Sequence, residues 1–131
     1  MFDDELGVGR VVGAGRLVGL LFVGRDLAHR AHLRTRSFAE HVALEGFYTG
    51  IVPLADVFAE QYQGRYNELL DIPLLDNEFE GEVADVLESQ MSWIEDTREE
   101  VCPKTETALH NAIDEIVALY QSTIYKLRFL S

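Results

Sequence analysis

Apolar positions recur at helical spacing along most of the chain, and no run combines strict alternation with turn chemistry at both ends. From about Gly13 to Leu33, Leu17, Leu20, Leu21, Leu27, Ala28 and Ala31 make one stripe, while Val18, Phe22, Arg25, His29 and His32 share a second face. A second helix is predicted to start after Ser37, a good N-cap, and to run to about Gln63 with Gly64 as its stop. Its sides are well sorted. Leu44, Phe47, Ile51, Leu54, Phe58 and Tyr62 form a core stripe, and Ala39, Ala43, Gly46 and Gly50 form a strip that lets another helix approach. The third side carries His41, Glu45, Tyr48, Val52, Asp56, Ala59 and Glu60. Pro53 sits inside this helix and should bend it, because it removes a backbone donor and crowds the preceding turn.

Residues 65–76 read as a connector with a short apolar segment, Leu69-Leu70 and Ile72-Pro73-Leu74-Leu75. A third helix is predicted over about Asn77–Val101, with Phe79, Val83, Val86, Leu87 and Ile94 inward. The fourth is predicted from Pro103, a favourable first-turn residue, to about Phe129, with Leu109, Ile113, Ile116, Val117, Tyr120, Ile124 and Leu127 as its stripe. Four such helices predict an all-α four-helix bundle whose longest connection joins the second and third.

The 131 residues suit one domain, 1–131, with 1–12 expected to be a flexible leading segment. The single cysteine, Cys102, excludes an intrachain disulfide and a multi-cysteine zinc site. A net charge of −12 argues against general nucleic-acid affinity, which needs clustered Lys and Arg. Arg25, Arg30, Arg34 and Arg36 are better read as neutralising nearby acids. Leu17–Val23 is too short to span a bilayer and follows acidic Asp3, Asp4 and Glu5, so no membrane association is expected and the location read from the sequence is cytoplasmic.

The glycines of the first helix contain Gly13-Ala14-Gly15-Arg16-Leu17-Val18-Gly19, which is GxGxxxG and has neither a preceding strand nor a following Lys-Ser/Thr pair. A frayed start and close helix packing explain them better than a phosphate cradle.

The chemistry concentrates on the third side of the second helix. At ~100° and ~1.5 Å per residue, His41, Glu45, Asp56 and Glu60 share one side, yet His41 and Asp56 are roughly 22 Å apart, too far for one metal ion. Position numbers 41 and 60 sum to 101, as do 45 and 56. Two copies of the helix paired antiparallel about a two-fold axis would set His41 against Glu60, and Glu45 against Asp56. A solvated polar strip is the plain reading, since acidic chains hold many such pairs. Against it, burying four such groups at an interface without a metal or mutual pairing costs several kcal/mol. His and carboxylates without a thiol suit iron(II), manganese or zinc.

His29, His41, Glu45 and Asp56-x3-Glu60 together resemble the ferroxidase pattern of the Dps-like mini-ferritins: a His, twelve residues on a second His, four on an acid, then Asp-x3-Glu. The resemblance implies a ferritin-like bundle in which the two His and the first acid come from one subunit and the Asp-x3-Glu from its two-fold partner. It further implies iron oxidation at a di-iron site, iron storage and a dodecameric shell, with zinc or manganese able to take the same donors. The apolar connector segment resembles that family's small dimer-interface helix. Where the family has His-Trp, His29 is followed by Arg30; aligning His32-Leu33-Arg34-Thr35 there makes His32 the ligand instead, and both alternatives stand. The family's basic DNA-binding tail is replaced by Met-Phe-Asp-Asp-Glu, so DNA binding is not expected. Thr35-x-Ser37-x3-His41 and Tyr62-Gln63-Gly64-Arg65 also resemble short Dps-like proteins of tailed phages, which would place the chain in host cytoplasm.

Two other readings remain. One is a non-enzymatic helical oligomer, a phage structural or host-interaction protein with a degenerate site. The other is an all-α Mg²⁺-dependent nucleotide pyrophosphatase resting on Glu82-x2-Asp85, which leaves the histidines unexplained. His110, four residues after Glu106, reads as a surface residue, and the acids of 71–101, Glu78 among them, as a solvated face.

Overall fold

Stripes of helical period are buried only against one another, and the four helices do this in pairs. The computed structural model describes residues 2–77 and 80–131. Within them lie α1 (Phe2–Arg34), α2 (Phe38–Tyr66), α3 (Val83–Val101) and α4 (Thr107–Phe129), with no strand among the described residues. α1 packs on α2 and α3, and α4 on the same two, so α1 and α4 are diagonal.

The turn at 35–37 reverses the chain. The Ser37 hydroxyl accepts the Glu40 N–H at 3.2 Å, satisfying one of the donors that a helix start leaves unpaired. α2 then continues through Pro53, which lies on its exposed side, and past Gly64. It ends at Asn67, which takes the left-handed conformation (φ 53°, ψ 45°) and donates its N–H to the Gln63 carbonyl. The helix therefore ends about one turn later than the expected stop at Gly64.

Residues 67–82 carry the chain back along the bundle to the end where α1 finishes. α3 is antiparallel to α1, with Gln90 beside Gly24 and Val101 beside Gly13. α4 is antiparallel to α2 and α3, as the Arg65–Glu106 ion pair (2.7 Å) and the Arg98–Asp114 ion pair (2.7 Å) show. One long crossover joins α2 to α3, and the other two connections are short turns.

The crossover passes close to α1. A Cβ at Gly15 would collide with the Asp71 carbonyl, and one at Gly19 would lie 2.9 Å from the Pro73 carbonyl oxygen. Gly15 and Gly19 thus differ from the expected frayed start and helix-on-helix packing: they lie within α1, and the backbone that approaches them belongs to the crossover. Leu17, Leu21, Leu44, Phe47, Ile51, Leu87, Ile94, Ile113 and Ile116 fill the core, and Phe47 meets Tyr120 edge to face at 4.9 Å. The Tyr120 hydroxyl donates to Gln90 Oε1 at 2.7 Å, which satisfies the polar pair in the bundle centre. Burial holds the Tyr120 hydroxyl far above its usual range.

The starts of α1, α3 and α4 and the form of the connector also differ from the sequence expectations. α1 is helical from Phe2, well before the expected start at about Gly13, and so is longer than its apolar stripe. α3 starts at Val83 instead of Asn77, because Gly81 has φ 110° and helical backbone begins only after Glu82. Phe79 and Glu78 lie outside the described residues. Pro103 belongs to a turn, and α4 begins at Thr107. The connector forms no helix among the described residues: Leu70 and Ile72 pack on the core while Leu69 and Leu74 point outward, and Pro73 denies a helical ladder.

Gly15→Ala should destabilise the fold by about 1–3 kcal/mol, since a backbone carbonyl must move to admit the methyl group. Gly64→Ala, which meets nothing within 4 Å, should instead stabilise it by up to about 1 kcal/mol through helix propensity. Urea unfolding of both variants checks the opposite signs.

Candidate metal centre

α1 ends and α2 begins within a few residues of each other, which brings His32 and His41 together across the turn. In an antiparallel helix pair, residues nearly equidistant from the turn meet, and 32 and 41 flank 35–37 in this way. Their rings stack with centroids 3.6 Å apart and planes 22° from parallel. His32 Nδ1 lies 2.8 Å from the His41 carbonyl oxygen, and His41 Nδ1 lies 2.9 Å from the His32 carbonyl oxygen.

A carbonyl oxygen only accepts, so each Nδ1 carries the hydrogen and donates it. Two consequences follow. The His32 carbonyl, in the last turn of α1 where intrahelical partners run out, gains a donor. Each ring is also held in the orientation that leaves Nε2 as the atom able to take a metal, the arrangement in which a carbonyl fixes the tautomer of a ligating imidazole.

Glu45 lies one turn beyond His41 on α2. Ligand atoms of His32, His41 and Glu45 all fall within 4.8 Å of one another. His32 is buried, His41 half-buried and Glu45 exposed, so the group opens outward from a fixed base. Two imidazoles and a carboxylate with open positions form a donor set for a divalent transition metal such as iron(II), manganese or zinc.

The other expected ligands stand apart. His29 stacks on Tyr48 with centroids 4.2 Å apart, and its ring centroid is 6.0 Å from that of His32. It is not in the three-residue group. Tyr48 also receives the edge of His32 at 5.2 Å and the Arg25 guanidinium over its ring at 5.6 Å, so it props the cluster from the side. Asp56 and Glu60 lie further along α2 on its exposed side, and nothing in one chain brings them to His41. Arg30 pairs with Asp26 at 2.7 Å, the neutralising role expected of the α1 arginines.

A family of unknown function, DUF5856, matches residues 32–127. The chain belongs to that family. The DUF5856 span begins at His32 and so contains His32, His41, Glu45, Asp56 and Glu60, leaving His29 outside. The chain is also similar to an uncharacterized 14.6 kDa protein from the mobD-ri intergenic region of Enterobacteria phage T4, at 35% identity over 63 residues. The match covers 48% of this chain and 49% of that one, so the chain spans about half the length of the curated relative it matches. No solved structure matches it.

Sequence reasoning missed a second polar cluster at the opposite end of the bundle. His110, expected at the surface, is half-buried. Its Nδ1 accepts from Arg98 Nε at 3.1 Å, which leaves Nε2 to donate to the Cys102 carbonyl at 3.1 Å. Arg98 also reaches the His110 carbonyl at 3.0 Å, Glu95 at 3.0 Å and Asp114 at 2.7 Å, binding α3 to α4. The signal was present as a lone Arg in an acidic helix, but nothing local in the sequence gives its partner. α2 was also not recognised as long and apolar enough to cross a membrane by length and composition alone, although 33% of its most apolar window is buried inside the bundle.

Cys102 is buried beside His110, and burial pushes its thiol up to about 11 against a weaker opposing pull from Arg98. The native thiol should therefore label with an uncharged alkylating reagent at pH 8 at least ~100-fold more slowly than the urea-unfolded chain. Because the folded value lies above the ordinary 9.0, this group's contribution to stability is intact below pH 9 and falls as pH rises toward about 11. Alkylation rates and unfolding free energies across that window check both statements.

Proposed function

We propose that this DUF5856 chain is an iron-binding mini-ferritin that oxidises iron(II) at a His/carboxylate site shared between two subunits, and so stores or detoxifies iron. The observation that carries the reading is the convergence of His32, His41 and Glu45 with both rings locked by backbone carbonyls. The single long crossover also supports it. Iron(II) enters as substrate. His32, His41 and Glu45 hold and orient the first ion; Asp56 and Glu60 of an antiparallel second copy supply the oxygen donors for another. Paired iron(II) ions would each give one electron to a hydrogen peroxide, which would take two protons from solvent and leave as two waters as the ions become iron(III), and the outward opening of the site would let the oxidant reach them. His29, one turn back on α1, steadies Tyr48 at the edge of the site rather than joining it. The reading carries with it a two-fold dimer, a dodecamer as the larger assembly, and a cytoplasmic location within an infected host for a phage-encoded chain.

The similarity to a phage T4 protein favours one second reading, a phage structural or host-interaction oligomer in which the same residues serve only as polar glue.

Iron(II) added anaerobically, followed by peroxide, separates the two. The wild-type chain should develop ferric absorbance at least ~10-fold faster than the His41→Ala/Asp56→Ala variant, in line with what a lost metal ligand or its support costs. Equal rates would leave the oligomer reading in place.

A further inference from the structure

α2 presents an outward seam that its own bundle does not cover. Phe38, Val42, Glu45, Thr49, Val52, Asp56 and Glu60 recur at steps of three or four residues and are all exposed, Phe38 to 80% and Val42 to 50%. Glu45, Asp56 and Glu60 make no ion pair among the described residues, while His32, His41 and Glu45 stand at one end of the seam as a three-donor group. A second copy of the same helix running antiparallel can cover such a seam, because a two-fold pairs each position with a complementary one of the other copy. The two-fold register that sets 41 against 60 also sets Thr49 against Val52, and Val42 against Ala59, on the same line. That register brings Glu45 of each copy against Asp56 of the other, with Glu60 one turn away. Opposed carboxylates at an interface work against pairing and are a common device for refusing a partner.

We propose that a divalent metal ion controls whether two copies of this chain pair through α2. The proposal rests on the shared-site reading above and adds a consequence to it. Without the ion, the two Glu45–Asp56 contacts oppose the apolar contribution of Phe38, Val42 and Val52. With it, His32, His41 and Glu45 of one copy present net positive charge to Asp56 and Glu60 of the other, and repulsion becomes ligation. An ion that binds the pair better than the single chain tightens pairing by the same factor by which pairing tightens its own binding.

Sedimentation velocity in EDTA and in excess Zn²⁺, a redox-inert probe, tests this on the full chain. The 14.8 kDa chain should sediment as a monomer in EDTA and as a dimer or a multiple of it in zinc, the apparent dissociation constant falling roughly tenfold or more. Glu45→Gln/Asp56→Asn should pair in EDTA, because the opposed charges are gone. His41→Ala, with its helicity checked by circular dichroism, should stay monomeric in zinc. Pairing of equal strength in EDTA and zinc would overturn metal control while leaving a shared site intact. A monomer in both, with zinc still bound one per chain, would overturn this proposal and the shared site together.

Discussion

The contact on which the site depends is the reciprocal hydrogen bonding of His32 and His41, each imidazole donating to the other's backbone carbonyl across the α1–α2 turn. It joins two tasks. The His32 carbonyl lies where α1 has run out of donors, so His41 completes a helix end that Ser37, capping α2 on the other side of the turn, completes from the opposite direction. The same two bonds spend both Nδ1 atoms and leave both Nε2 atoms. Each bond contributes only about 0.5–1.5 kcal/mol to the fold. Their larger effect is orientational, since they hold the two rings stacked at 3.6 Å with both Nδ1 atoms occupied.

The crossover makes this corner useful. Residues 71–75 lie along α1 over Gly15 and Gly19, away from the exposed side of α2. α2 is thus held from behind by α1 and α4 and stays open in front. The open front carries exposed Phe38, Val42 and Val52 beside Glu45, Asp56 and Glu60, and the three-donor group stands at its edge. The far end of the bundle is closed by a different device, in which Arg98 ties His110, Glu95 and Asp114 together above the buried Cys102.

Helix number, the N-cap at Ser37 and most of the core were legible because periodic stripes and capping chemistry are local properties. The end of α2 at Asn67 was not, since Asn reaches the left-handed region only somewhat less readily than Gly and the sequence offered Gly64 first. The start of α3 was hidden by acids with good helix propensity that Gly81 overrules. His29 and His32 lie one turn apart on one face, so spacing along the chain could not rank them. The ranking comes from the turn, whose position sets His32 opposite His41 and leaves His29 to stack on Tyr48. Asp56 and Glu60 remain a relation between two chains, read from position numbers alone.

The central claim is that two carbonyl-locked imidazoles and one carboxylate bind a metal ion. X-ray absorption at the zinc edge of the zinc-loaded protein tests it most directly. Scattering from two imidazole rings per ion is expected, at the roughly 2.0–2.1 Å zinc–nitrogen distance usual for histidine, reduced to one ring in His32→Ala and in His41→Ala. A spectrum with oxygen neighbours only, unchanged in both variants, would contradict it.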